Sequence, residues 1–335
     1  MTRAAGIARR ARKLPNRALR PLGLRIVRAA PPPTTPPKPP APVYSKRPLF
    51  VGYTRFSILD PGRSAFKLSR GGEEDAYAAA LFAPDRLRPR ADAFLGIAAP
   101  LLQAMGEGRD YRHIVHYSNR LPEPYLGDLL EAARANPVLY PLCAEDGVTM
   151  TQAMTDLARE HRARVVVQFR VDDDDVLAVD FLDHLAPFAR IEDAGRSVNL
   201  ASGYAAYLDG EGRVHAPRIE ERPFGSCGQA YIGTFDLRTG RLRLDAKGQH
   251  TRMYRIRPHI VRAGPPTFLR LLHPGQDTRL DAGEAMRAIH AELDRRAPAD
   301  PAEVLTHFPT LADRLVPPPE PLHTAVAPPP GDVTA

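Results

Sequence analysis

Four aspartates stand in succession, Asp172–Asp175, directly after the apolar run Val165–Val171 (VVVQFRV). Adjacent carboxylates repel one another, and burial at a strand end raises their pKa values. A divalent cation removes that penalty. Hard cations such as Mg2+ and Mn2+ prefer oxygen ligands, and Mg2+ commonly takes one or two carboxylates and completes its shell with substrate phosphates. In a chain leaving a strand alternate residues face the same way. Asp172 with Asp174, or Asp173 with Asp175, would therefore share a cation and a diphosphate. The competing reading is a helix cap, since Asp is a good N-cap and first-turn acids suit the helix dipole. A cap needs one or two acids, not four after an apolar strand. The spaced Asp pattern of an EF-hand is missing, as are a glycine-rich phosphate loop and a Gly-x-Ser-x-Gly elbow.

Elements on both sides of the run must hold it in place. Strands are expected at 48–53, 111–117, 138–142 and 165–171, with helices at 73–82, 91–105 (broken at Pro100), 124–135, 151–162 and 176–188. Segments 59–72 and 118–122 read as loops. Strands alternating with helices predict an α/β fold with a mainly parallel, doubly wound sheet and helices on both faces. Ligands bind such sheets at the carboxyl ends of the strands, the edge on which the Asp run falls. After residue 197 the pattern turns to strands, 197–208 and 231–244, and then to helices at 281–295 and 303–315. The expected organisation is a leader at 1–45, a catalytic domain at 46–275, C-terminal helices packed on it at 276–315, and a proline-rich tail at 316–335. Both tails are expected to be disordered.

Three blocks carry a resemblance. Gln168-Phe169-Arg170-Val171 followed by the four aspartates resembles the Asp-x-Asp motif of nucleotide-sugar glycosyltransferases with the GT-A fold. Thr54-Arg55-Phe56-Ser57 and Ser118-Asn119-Arg120-Leu121-Pro122, the latter followed by Pro124-Tyr125-Leu126, are similar to blocks of the putative rhamnosyltransferase family. The likeness runs over about residues 48–275. It implies a GT-A-like fold, a nucleoside-diphospho-sugar donor, Mg2+ or Mn2+, and a glycan or lipid-linked acceptor in polysaccharide biosynthesis. Asp174 or Asp175 would hold the metal, and Asp172 would lie near the ribose or the metal, with Asp173 beside it. Thr54, Arg55, Phe56 and Ser118 would lie by the nucleotide, Arg55 pairing with phosphate and Phe56 stacking on the base. Arg170 would support the diphosphate or the Asp run. His250 and His273 fall where such enzymes place a late metal or diphosphate ligand. An inverting transfer also needs a base for the acceptor proton. Glu220, Glu221 and Asp236 are the candidates, with Asp236, after the apparent strand 230–235, as first choice. The alternative is a non-catalytic nucleotide- or carbohydrate-binding protein that keeps the fold.

The remaining residues bound the partners. His113 and His116 have odd spacing on one strand and make no metal pair. Arg252, Arg255 and Arg257 alternate as if along one strand face and would meet diphosphate or an anionic acceptor. Gly225-Ser226-Cys227-Gly228 reads as an acceptor-side loop. Cys143 and Cys227 lack the spacing of a zinc site or a disulfide framework. The 335 residues carry 46 Lys and Arg against 39 Asp and Glu, a net +7. Thirteen of the basic residues fall in residues 1–59, which hold no acid; the rest of the chain has 33 against 39, a net −6. A body of that charge argues against a nucleic-acid-binding core. The scattered arginines of the leader leave no apolar signal region, so the protein is expected in the cytoplasm. The leader would touch the inner face of an anionic membrane, held off by the polyproline spacer at 31–42.

Overall fold

The computed structural model describes Pro21 and residues 41–59, 74–245, 250–276 and 281–316. The chain divides between Ala41 and Pro42 into two compact units, and the fold below belongs to the second. Most of the basic leader, of the polyproline spacer, of the loop expected at 59–72 and of the proline-rich tail lies outside the described residues.

The strands are β1 (Leu49–Arg55), β2 (Tyr111–Tyr117), β3 (Leu139–Cys143), β4 (Val165–Arg170), β5 (Asp175–Leu177), β6 (Ser197–Leu200), β7 (Ser202–Leu208), β8 (Val214–Glu221), β9 (Ala230–Asp236), β10 (Arg241–Arg243), β11 (His259–Arg262), β12 (Phe268–Leu272) and β13 (Leu315–Val316). The larger sheet has the order β11-β6-β9-β4-β1-β2-β3, with β10 alongside β9. Along that path only β9 runs against the others. The mainly parallel α/β fold expected from the alternation is present, made mixed by β9. β1 shows why it is buried on both sides. Leu49 and Val51 face a cluster covered by Ala153, Met154 and Leu157 of the helix Met150–Glu160. Phe50 points the other way, into the main core with Leu101 and Leu102 of the helix Ala99–Gly106. The strand period of two places the apolar residues on both faces.

A second sheet, β13-β8-β7-β12-β5, was not foreseen. The segment 176–188 read as one helix, yet Val176 and Leu177 belong to β5 and the helix is only Phe181–Leu185. Val176, Leu177 and Ala178 are buried in the main core, and an apolar run this short has no period by which to tell strand from helix. Segment 197–208 likewise splits at Ala201, with β6 in one sheet and β7 in the other. The break expected at Pro100 is a π-helical turn, Phe94–Ala98, which joins the helix Pro84–Ala93 to Ala99–Gly106. Arg252 and Arg255 lie in a 3-10 helix, His250–Arg255, with Arg257 just beyond it, so they are not on a strand face.

A buried polar strut ties β2 through β1 to the end of β4. Tyr111 OH lies 2.8 Å from His113 Nδ1, His113 Nε2 lies 2.8 Å from Thr54 Oγ1, and Thr54 Oγ1 donates to the Val171 carbonyl at 3.1 Å. Thr54 has one proton and spends it on Val171, so His113 donates from Nε2 and accepts from Tyr111 at Nδ1. The imidazole is therefore neutral, and burial pushes its pKa down to about 3. Its ring crosses Gly52, where a Cβ would come within 2.8 Å of Cε1 and closer still to Nδ1.

Two outcomes follow from the strut. Gly52→Ala should lower stability by about 3 kcal/mol, the upper part of the overpacking range, in urea unfolding. The unfolded chain protonates His113 near 6.5 and the folded chain only near 3. Its contribution is thus intact above pH 6.5 and is lost as pH falls, by about 1.4 kcal/mol per unit. Between pH 6 and 5 the wild type should lose stability more steeply than His113→Gln by that amount. Equal slopes would show that the histidine is not held neutral.

Candidate functional site

The strand order of the larger sheet reverses between β1 and β4: β2 and β3 follow on one side of β1, and β4 starts the other. In open parallel sheets the crevice beyond the carboxyl ends at such a reversal is where ligands bind. β1 ends there at Arg55 and β4 at Arg170. The strut fixes Val171, and the Val171 amide also donates to the Tyr53 carbonyl at 3.1 Å. The Asp run therefore leaves from a fixed point.

Its four carboxylates do not share one environment. Asp172 is the most open, its side chain 31% exposed, and it accepts from Arg170 Nε (3.1 Å) and Nη2 (2.6 Å), with Arg55 Nη2 3.9 Å away. Asp173 is buried and turns inward. It accepts the Ser57 amide (3.0 Å) and hydroxyl (3.3 Å) and pairs with Arg90. Asp174 Oδ2 lies 3.2 Å from Arg90 Nη2 and 3.8 Å from His273 Nε2. Burial works to raise its carboxyl, but Arg90 and His273 outweigh it and hold it well below the usual range. Asp175 is in β5, buried in the second sheet opposite Arg270 in register. Burial, then the charges of Asp174 and Asp172, push its carboxyl well above the usual range. The first and third aspartates are thus the more accessible pair, and the second and fourth are internal.

The fit of a divalent cation follows from these contacts. His273 is 1% exposed, and among the described residues neither ring nitrogen has a hydrogen-bond partner, with Asp174 Oδ2 at 3.8 Å from Nε2, beyond hydrogen-bond reach. An unsatisfied buried imidazole costs free energy, which a ligand to Nε2 would offset. Asp174 and His273 supply one oxygen and one nitrogen to the same point, a set that suits Mn2+ better than Mg2+. Among the described residues no group of three or more His, Cys, Asp and Glu converges. Two protein ligands leave room for diphosphate oxygens and water, the usual arrangement for a nucleotide-bound cation. Asp175, expected beside Asp174 as a ligand, is buried in the second sheet, and that burial and the charges of Asp174 and Asp172 favour its protonated form over a metal-binding carboxylate. His250 lies near Asp172, and its pKa is lowered by burial and then by Arg170 and Arg222.

Other expected residues are placed elsewhere. Thr54 is consumed by the strut. Phe56 is fully buried against Phe94, ring centroids 5.5 Å apart, so it cannot stack on a base. Ser118 is buried and donates to Glu145 Oε1 at 2.5 Å, closing the loop after β2. Asp236 is at the far end of β9, opposite the start of β4, so it lies on the other edge of the sheet. Its carboxylate accepts the Arg238 amide at 2.9 Å and organises a turn. Glu220 is buried against Arg270 (2.9 Å, twice), Arg296 (3.0 Å) and Arg222 (3.3 Å). Burial would raise its carboxyl, but these guanidinium groups hold it below the usual range, so it is a poor base. Glu221 is exposed at the end of β8. Of the expected residues, Arg55, Arg170, Asp172, Asp173, Asp174, His250 and His273 come together. Arg90 has no counterpart among the expected residues, and Ser57 belongs to the early block without an expected role. Arg90 is 5% exposed on a helix that also carries Arg86 and Arg88, and nothing in the sequence singles it out.

The family model described as putative rhamnosyl transferase matches residues 49–285, more than half of the chain. The chain belongs to that family and is a glycosyltransferase. No curated protein matches it closely enough to count as a relative. HddC from Yersinia pseudotuberculosis is 14% identical, with 73% of this chain and 99% of that one covered and a TM-score of 0.32. TarS 1–349 from S. aureus in complex with UDP-GlcNAc is 12% identical, with 79% and 71% covered and a TM-score of 0.33. Both are distant likenesses.

Removing Arg90 would leave Asp173 and Asp174 uncompensated in a buried place. Arg90→Met should cost about 3–5 kcal/mol in urea unfolding. Adding Asp173→Asn and Asp174→Asn should restore part of it; a triple variant no more stable than Arg90→Met would refute the pairing.

Proposed function

We propose that this member of the putative rhamnosyl transferase family moves a sugar, rhamnose by the family's description, from a nucleoside-diphosphate donor to a hydroxyl of a glycan or lipid-linked acceptor. The donor would lie at the β1/β4 reversal with Mg2+ or Mn2+ at Asp174 and His273. The observation that carries this reading is the buried His273 beside Asp174, whose ring nitrogens have no hydrogen-bond partner among the described residues and whose Nε2 lies 3.8 Å from Asp174 Oδ2. A bound cation would neutralise charge that gathers on the leaving diphosphate.

The chain's own residues do the rest. Arg55 and Arg170 present guanidinium groups at the two strand ends, where a diphosphate enters. Both already face Asp172, so the open carboxylate aims them and remains free on its other side to accept a ribose hydroxyl. Burial and then Arg170 lower the pKa of Arg55, the mark of a charge held in partial desolvation that an anion would relieve. Such fixed charges act most strongly where charge develops during the reaction. A direct displacement, which would invert the sugar, would bond the acceptor oxygen to the anomeric carbon as the bond to the diphosphate breaks, with the acceptor proton passing to water. Cys227 is buried and its thiol is pushed well above its ordinary range by burial and then by Asp175, so it offers no thiolate for a covalent intermediate.

The reading is tested by thermal unfolding with Mn2+ and a panel of nucleoside diphosphates. A matching nucleotide at about a hundred times its Kd adds roughly 2.7 kcal/mol and raises the Tm by several degrees. Asp174→Asn and His273→Ala should lose the part of the shift that needs Mn2+, whereas Asp236→Asn should keep all of it. Release of nucleoside diphosphate from a nucleotide-sugar panel then separates an enzyme from a binding protein. No shift with any nucleotide and no release from any donor would rule the assignment out.

A further inference from the structure

The loop between β8 and β9 holds a non-glycine residue, Phe224, in a left-handed conformation. Gly225 N donates to the Arg222 carbonyl at 3.0 Å, closing a turn with Pro223 and Phe224 at its centre. The third position has a left-handed backbone, φ 63° at Phe224. Turns of this kind take glycine there, because any Cβ is strained. Here the glycine comes one residue later. The strain is held by Asn199, which is 1% exposed, accepts the Phe224 amide at 2.9 Å and donates to the Gly225 carbonyl at 3.3 Å. A strained residue kept by a dedicated buried side chain points to a use for its own side chain.

That side chain builds an aromatic corner. The Phe224 ring stacks on His259, centroids 5.3 Å apart, and meets Tyr254 at 5.5 Å with the planes 52° apart. Tyr254 is 51% exposed and accepts from Arg255 Nε at 3.1 Å through its hydroxyl; Ile256 beside it is 55% exposed. The corner is continuous with the donor crevice at two points. Gly228, on the same loop, donates to the Arg170 carbonyl at 2.8 Å, and His250, in the same 3-10 helix as Tyr254, lies near Asp172.

We propose that Phe224 and Tyr254 form the acceptor subsite, a corner that takes the apolar C–H face of a pyranose ring while Tyr254 OH and Arg255 meet its hydroxyl or anionic groups. An apolar wall with a few polar groups at its rim is what such a ligand needs. The inference rests on the donor reading above, and the test keeps the two apart.

The full chain is applied to an array of neutral and acidic glycans, with and without Mn2+ and a nucleoside diphosphate. Phe224→Gly and Tyr254→Ala should weaken glycan binding about tenfold, as for the loss of an aromatic anchor. Both should keep the nucleotide-dependent rise in Tm. Both variants should keep a cooperative thermal unfolding transition without ligand, so their loss of binding cannot be laid to misfolding. Glycan binding lost in the variants without any nucleotide shift in the wild type would support the corner and remove the donor reading. A nucleotide shift with no glycan bound, or with glycan binding unchanged in both variants, would overturn the corner.

Discussion

Four carboxylates on consecutive residues have to be compensated one by one, and the fold does so by passing the chain between two sheets at that point. β4 ends at Arg170 in the larger sheet, and Asp175 already belongs to the smaller one. The four side chains meet different partners as a result: Arg170 and Arg55 for Asp172, Ser57 and Arg90 for Asp173, Arg90 and His273 for Asp174, and the second sheet for Asp175. Much of the surrounding architecture serves this division. The strut through His113 fixes where the run starts, and the helix Pro84–Ala93 brings Arg90 beneath its middle. β12 supplies Arg270 opposite its last member, and His273 follows directly after that strand.

The sequence made the parallel part of the fold legible because its strands are buried on both faces. VVVQFRV and LFVGYTR are apolar runs too long for loops and too short for helices, and helical stretches separate them. The second sheet was hidden for the opposite reason. β5 has three residues, and β6 and β7 are joined through a single alanine, so no turn signal marks the change of sheet. The Asp run announced the site, but not which of its members face out. That depends on the crossing between sheets, which no local pattern encodes. Phe56 shows the same limit. It follows the strand-end arginine, as a base-stacking residue would, yet the π-helical turn delivers Phe94 against it and buries it. Asp236 read as a strand-end acid and is one, but β9 runs backwards and delivers it to the wrong edge.

Charge explains what the totals concealed. The acidic balance of the body does not make an acidic crevice. Arg55, Arg90, Arg170, Arg222 and Arg270 gather around the aspartates, and the carboxylates act largely to hold guanidinium groups in place. The arrangement is close to neutral before any ligand arrives. A diphosphate entering as proposed would exchange carboxylate partners for phosphate ones on arginines already desolvated, which would lower the reorganisation needed on binding.

The crossing at Asp172–Asp174 has a mechanical side. The chain passes between the sheets again at Ala201, whose carbonyl accepts the Arg222 amide at 2.7 Å and whose amide donates to the Arg262 carbonyl at 2.8 Å. Two short, hydrogen-bonded crossings, one of them carrying the Asp run, act as rivets between the layers. Neither sheet can open without dragging the other. The two layers should exchange their amide protons as a single cooperative unit, and whatever breathing turnover requires is left to the loops above the rivets.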